Sequence, residues 1–128
     1  MCGRRSGTLA GTWHNMSDQA DELEAMLAGM RPQFLDTAAE RVSVISEEAS
    51  GLAIAVDPVA SLTRLVREAH TLKSGGAMFG FSSLGDAGGR VEQIGKALLA
   101  GGVPLPGIEP LHEAVAALQD ILSAARNG

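Results

Sequence analysis

Between Asp57 and Phe81 the chain repeats apolar or small residues at helical period: Leu62, Leu65, Ala69, Leu72, Gly76 and Phe79. Steps of three and four alternate along that series, which places all six on one stripe of an α-helix and excludes a strand, whose side chains alternate at period two. Asp57-Pro58 supplies the start, with Asp at the N-cap and Pro in the first helical position. A helix of about twenty residues, roughly 30 Å long at 1.5 Å per residue, is predicted to stop near Gly80. One such stripe needs partners, and the chain supplies them.

Leu35, Ala38, Val42, Ile45, Ala49 and Leu52 form a second stripe, on a helix predicted to open at Pro32 and fray at Gly51. A third, with Leu84, Gly88, Val91, Ile94 or Gly95, and Leu98, comes after a serine cap at Ser82 or Ser83. A fourth, with Leu111, Val115, Leu118, Leu122 and Ala125, opens at Pro110. The connecting GGVPLPG is too rich in Gly and Pro to be helical. Ahead of these, Leu23, Met26, Leu27 and Met30 predict a short additional helix, capped by Ser17 or Asp18 and limited by Gly29 and Pro32. Residues 1–16 lack an apolar period and are expected to be a flexible tail, with Trp13 the one residue suited to docking, leaving 17–128 as the domain. Four long amphipathic helices with short connections predict an all-α, antiparallel four-helix bundle, with the short N-terminal helix covering one end.

Composition narrows the function. The aromatic residues number three Phe, one Trp and no Tyr, so aliphatic side chains must build the core. The lone cysteine, Cys2, excludes an internal disulfide and a multi-cysteine metal site. Ten basic against fifteen acidic residues, a net charge of −5, argue against a nucleic-acid partner. No apolar run approaches the roughly 20 residues that span a bilayer, and no apolar segment comes after Arg4 and Arg5, so no membrane association and a cytoplasmic location are the default expectations.

The chemistry concentrates in Arg67–Phe81, REAHTLKSGGAMFGF. His70 lies one residue past the core position Ala69, about 100° round the helix, on a boundary stripe with Val66, Lys73 and Ala77. Ser74, Gly75 and Gly76 come next, although a helical glycine costs about 1 kcal/mol relative to alanine. His14 and His112 are remote and no His or Cys sits four residues from His70, so no metal site is expected. No serine occupies a nucleophile elbow.

The run His70-Thr71-Leu72-Lys73, the small residues through Ala77, Gly80 ten after the histidine, Leu84 fourteen after it and Glu92 on the next helix resemble histidine phosphotransfer (HPt) domains. Those domains share an H-x-L-K-G pattern, and Ser74 stands where they usually have Gly. The resemblance covers about residues 32–125 and implies a role for each site residue. His70 would carry the phosphoryl group on Nε2, and Glu92 would hold Nδ1–H; otherwise Glu92 is a solvated residue paired with Lys96. Lys73 would neutralise phosphoryl charge, with Arg67 and Lys96 as further cations. Ser74, Gly75 and Ala77 would keep the surface low for a docking receiver domain, while Gly76 serves packing, against Gly88. The resemblance implies a relay between the receiver aspartates of a hybrid histidine kinase and a response regulator, without ATP-dependent activity of its own. No cofactor is expected, since Mg²⁺ would belong to the receiver. A monomer is the simplest expectation, and the termini at Met1 and Asn127-Gly128 suggest a stand-alone protein. A phosphotransfer domain of a chemotaxis-type kinase and a non-catalytic helical interaction module are the alternatives.

Overall fold

A computed structural model describes the backbone of residues 2–101 and 108–127 and the side chains of 18–101 and 108–127. Among the described residues there are four α-helices and no strand: α1 Cys2–Gly51, α2 Pro58–Met78, α3 Ser82–Gly101 and α4 Glu109–Asn127, with a 3-10 turn at Leu52–Ile54. The GGVPLPG connection falls almost wholly outside the described residues, as do the side chains of Trp13 and His14.

The beginning of the chain differs from expectation. Instead of a tail, a short helix and a new start at Pro32, the backbone is helical without interruption from Cys2 to Gly51, with Pro32 inside it. A proline removes one N–H donor and crowds the carbonyl four residues back, a local cost of about 3 kcal/mol. Pro32 is exposed, so water can reach the carbonyl that loses its donor. Helix-forming Glu24–Ala28 before it and Leu35, Ala38 and Ala39 after it carry the helix through.

The chain divides into two compact units, Met1–Pro32 and Gln33–Gly128. In the first, no described side chain is buried; Leu23, Met26 and Met30 are exposed, and Arg31 donates to Glu24 at 2.9 Å. The second is the bundle. Its core is the four stripes read from the sequence: Ala38, Val42, Ile45, Ala49 and Leu52; Leu62, Leu65, Ala69 and Leu72; Leu84, Val91 and Leu98; Leu111, Val115, Leu118 and Leu122. Fully burying each Leu, Ile or Val side chain contributes about 1.5–3 kcal/mol, which makes this set the main stabilising term.

Polar pairs at the rim follow the order of the helices. Arg41 pairs with Glu68 at 2.8 Å and Arg64 with Glu48 at 2.7 Å, tying α1 to α2 in antiparallel sense. Gln119 donates to Ser46 at 3.0 Å and Arg126 lies 3.5 Å from Asp36, tying α4 back to α1.

The two ends of α2 are capped differently. Asp57 Oδ1 accepts from the Ala60 amide at 3.1 Å, as its place before Pro58 predicts. At the other end, Phe79 N–H donates to Gly75 O and Phe81 N–H to Gly76 O at 2.8 Å, across Gly80 at φ 85°. That is a Schellman turn, and its left-handed residue is a glycine because a Cβ there is strained. The Gly85 amide then bonds to Phe81 O at 2.9 Å, so α3 opens from Phe81 and not from a serine cap. Phe34 stacks on Phe79 and Phe81, with ring centroids at 5.0 and 5.8 Å, and secures this turn to α1. No helix among the described residues is long and apolar enough to cross a membrane.

Candidate functional site

The tight turn returns α3 antiparallel along α2, and that return brings residues 22 apart together: His70 Nδ1 lies 2.7 Å from Glu92 Oε2. The two partners sit in opposite surroundings. The His70 side chain is 61% exposed and the Glu92 side chain 6%. Lys96, one turn further along α3, reaches the same oxygen at 3.2 Å. Burial pushes the Glu92 carboxyl up, but hydrogen bonds from Lys96 and His70, together with the charges of both, outweigh it and hold the carboxyl below its ordinary value. Glu92 is therefore an anion near neutral pH, and an anionic carboxylate only accepts. In the neutral ring the one imidazole proton then lies on Nδ1, which leaves the Nε2 lone pair as the free one.

The glycines explain how α2 and α3 come this close. A Cβ on Gly76 would stand 2.6 Å from the Gly85 amide nitrogen, and one on Gly85 3.1 Å from Lys73 O. A Cβ on Gly88 would stand 3.2 Å from Ala69 O, and one on Gly95 2.6 Å from Val66 Cγ2. Gly76 thus meets Gly85, whereas the sequence pointed to Gly88.

The other predicted residues separate into groups. Arg67, Lys73, Ser74 and Ala77 are exposed on α2 beside or beyond His70. Lys96 is exposed but spends part of its charge on Glu92, so it belongs to the His70 pair as well as to the rim. Gly75 does not belong to an open docking surface: it is half-buried under Phe34, whose Cε1 would lie 2.5 Å from a Cβ there. Its smallness admits the ring that anchors the turn. Sequence reasoning missed Asp86, Arg90 and Gln93, which line a shallow groove with Lys73, Glu92 and Lys96. The signal was available in their spacing of four and three along α3, next to Glu92. No cluster of three or more His, Cys, Asp or Glu able to hold a metal exists among the described residues.

An exposed histidine with a buried carboxylate behind it, on a bundle of this form, coincides with a family match: the model of the Hpt domain covers residues 29–128. The chain belongs to the Hpt domain family. No curated protein and no solved structure gives a significant match. Hpt domains carry phosphotransfer in two-component signalling, and they interact with receiver domains.

Proposed function

We propose that this Hpt domain relays a phosphoryl group between receiver-domain aspartates through phospho-His70. The observation that carries the reading is the 2.7 Å contact between an exposed imidazole and a buried, ionised Glu92. The Nε2 lone pair attacks phosphorus of the receiver's aspartyl phosphate, the N–P bond forms, and the P–O electron pair leaves with the aspartate carboxylate. Both ring nitrogens are then substituted and the ring carries a positive charge. Glu92 faces that charge at Nδ1–H without accepting the proton, so it both fixes the tautomer and stabilises the product. Onward transfer runs the same steps in reverse to a second aspartate.

Lys73, one turn from His70, supplies positive charge to the phosphoryl oxygens, with Arg67 beside it. Ser74 and Ala77 keep the approach low for the receiver. The Mg²⁺ that assists the transfer sits on the receiver, and the domain itself uses no cofactor. The relay is cytoplasmic, the domain acting as a monomer.

Incubation with a phosphorylated receiver should label the protein with acid-labile, alkali-stable phosphate, and His70→Gln should abolish labelling. Persistent labelling of the His70→Gln protein sinks the reading. A second reading, a phosphotransfer domain charged directly by a chemotaxis-type kinase, is favoured by the carboxylate at Glu92. Labelling by a kinase catalytic domain with ATP, in the absence of any receiver, separates the two.

A further inference from the structure

Four glycines of α3 face α2, and they do not meet the same thing. Gly85 and Gly88 are nearest to backbone or to a core Cβ, and Gly95 to Val66 and Leu65. Gly89 differs. The three atoms nearest to a Cβ built there are all methylenes of one charged side chain, Lys73 Cδ at 3.3 Å, Cγ at 3.5 Å and Cε at 3.7 Å. Gly89 is therefore not needed to bring the two backbones together. It makes room for the stem of a lysine.

Its place in the register is informative. Lys73 is three residues on from His70, and Gly89 three residues back from Glu92, so the two pairs are successive rungs across antiparallel helices. At one rung α3 presents a carboxylate, which holds the imidazole. At the next it presents no side chain at all. Lys73 forms no ion pair or hydrogen bond among the described residues, although Asp86 and Glu92 line the same groove.

We propose that Gly89 is a positioning residue for phosphoryl transfer, seating the Lys73 stem against α3 and leaving its ammonium unpaired for the phosphoryl oxygens at His70. The inference rests on the reading of His70 as carrier and Lys73 as its charge partner. A Cβ at 89 crowds the lysine stem at 3.3 Å, so the stem must give way, slightly for alanine and further for a branched side chain. Displacing a group that must meet a transferring phosphoryl by about 1 Å can cost up to about a hundredfold in rate.

The test measures transfer from a phosphorylated receiver, and thermal unfolding, for Gly89→Ala and Gly89→Val in the full chain, each with Lys73 present and with Lys73→Ala. Alanine is the better helix former, so Gly89→Ala should unfold at the same or a higher temperature while transferring about two- to threefold more slowly. Gly89→Val should slow transfer about tenfold with Lys73 present, and add nothing once Lys73→Ala has been made. Equal slowing in both backgrounds, or slowing matched by a lower unfolding temperature, assigns Gly89 to packing or docking and overturns the proposal. Wild-type transfer by Lys73→Ala alone removes Lys73 and Gly89 together while leaving His70 in place. Failure of the unaltered protein to become labelled overturns the relay itself.

Discussion

The seam between α2 and α3 and the face that α4 lays on the core are built from opposite materials. In the first, Gly76, Gly85 and Gly88 bring backbone against backbone. In the second, Leu111, Val115, Leu118 and Leu122 fill the space between helices with aliphatic side chains. A leucine can change rotamer when its neighbour moves; two backbones in contact cannot. The His70–Glu92 pair lies on the seam whose width is set by backbone, and a 2.7 Å contact across two helices needs that fixed width. The aliphatic face supplies stability, and the glycine seam supplies geometry.

Substitutions on the two sides put this division at risk. Leu118→Ala, at a fully buried site, should cost about 3 kcal/mol in urea unfolding while the folded fraction still transfers phosphoryl normally. A specific loss of transfer in that variant would show that the aliphatic face also shapes the site. Gly76→Ala should cost about 2 kcal/mol, because the clash with Gly85 backbone exceeds the gain of about 1 kcal/mol from helix propensity. It should also slow transfer by moving Glu92 from His70, and a stabilised Gly76→Ala protein would refute a backbone-set seam.

A smaller effect is expected at the carboxylate of the seam. The Glu92 carboxyl is held below its ordinary value in the folded protein, so it contributes stability that is present above that value and is lost as pH falls through the folded one. Unfolding temperatures of wild type and Glu92→Gln, measured from about pH 6 to about pH 3 across the ordinary carboxylate range, should therefore converge on acidification. Parallel curves would mean that Glu92 gains nothing from His70 and Lys96. Least affected should be Arg64→Ala, since the arginine that pairs with Glu48 is 59% exposed; under about 1 kcal/mol is expected from urea melts.

The same division governs what could be read from the sequence. The stripes of α2 and α4 were legible because large aliphatic residues at steps of three and four have one physical meaning, burial. The Asp57-Pro58 start and the stop at Gly80 were legible because their chemistry is local. Glu92 was found through the family pattern, and its burial came only with the fold. The glycines were the difficulty. A glycine records that a side chain is absent, not what lies opposite, so in sequence Gly75 beneath Phe34 reads the same as a glycine on a docking surface. Pro32 misled for a related reason: a proline gives the local cost of continuing a helix, and the residues on either side decide whether the helix continues.

The Schellman turn joining α2 to α3 carries a further consequence. Phe79, Gly80 and Phe81 make no contact with phosphate in the proposed chemistry, yet they act as a ruler. One residue inserted into or deleted from that link would turn α3 by about 100° and slide it about 1.5 Å relative to α2. Every side chain of the site would survive in the sequence, and Glu92 would face away from His70. Loop length here is a hidden coordinate of the His70–Glu92 contact, and a catalogue of side chains would not contain it.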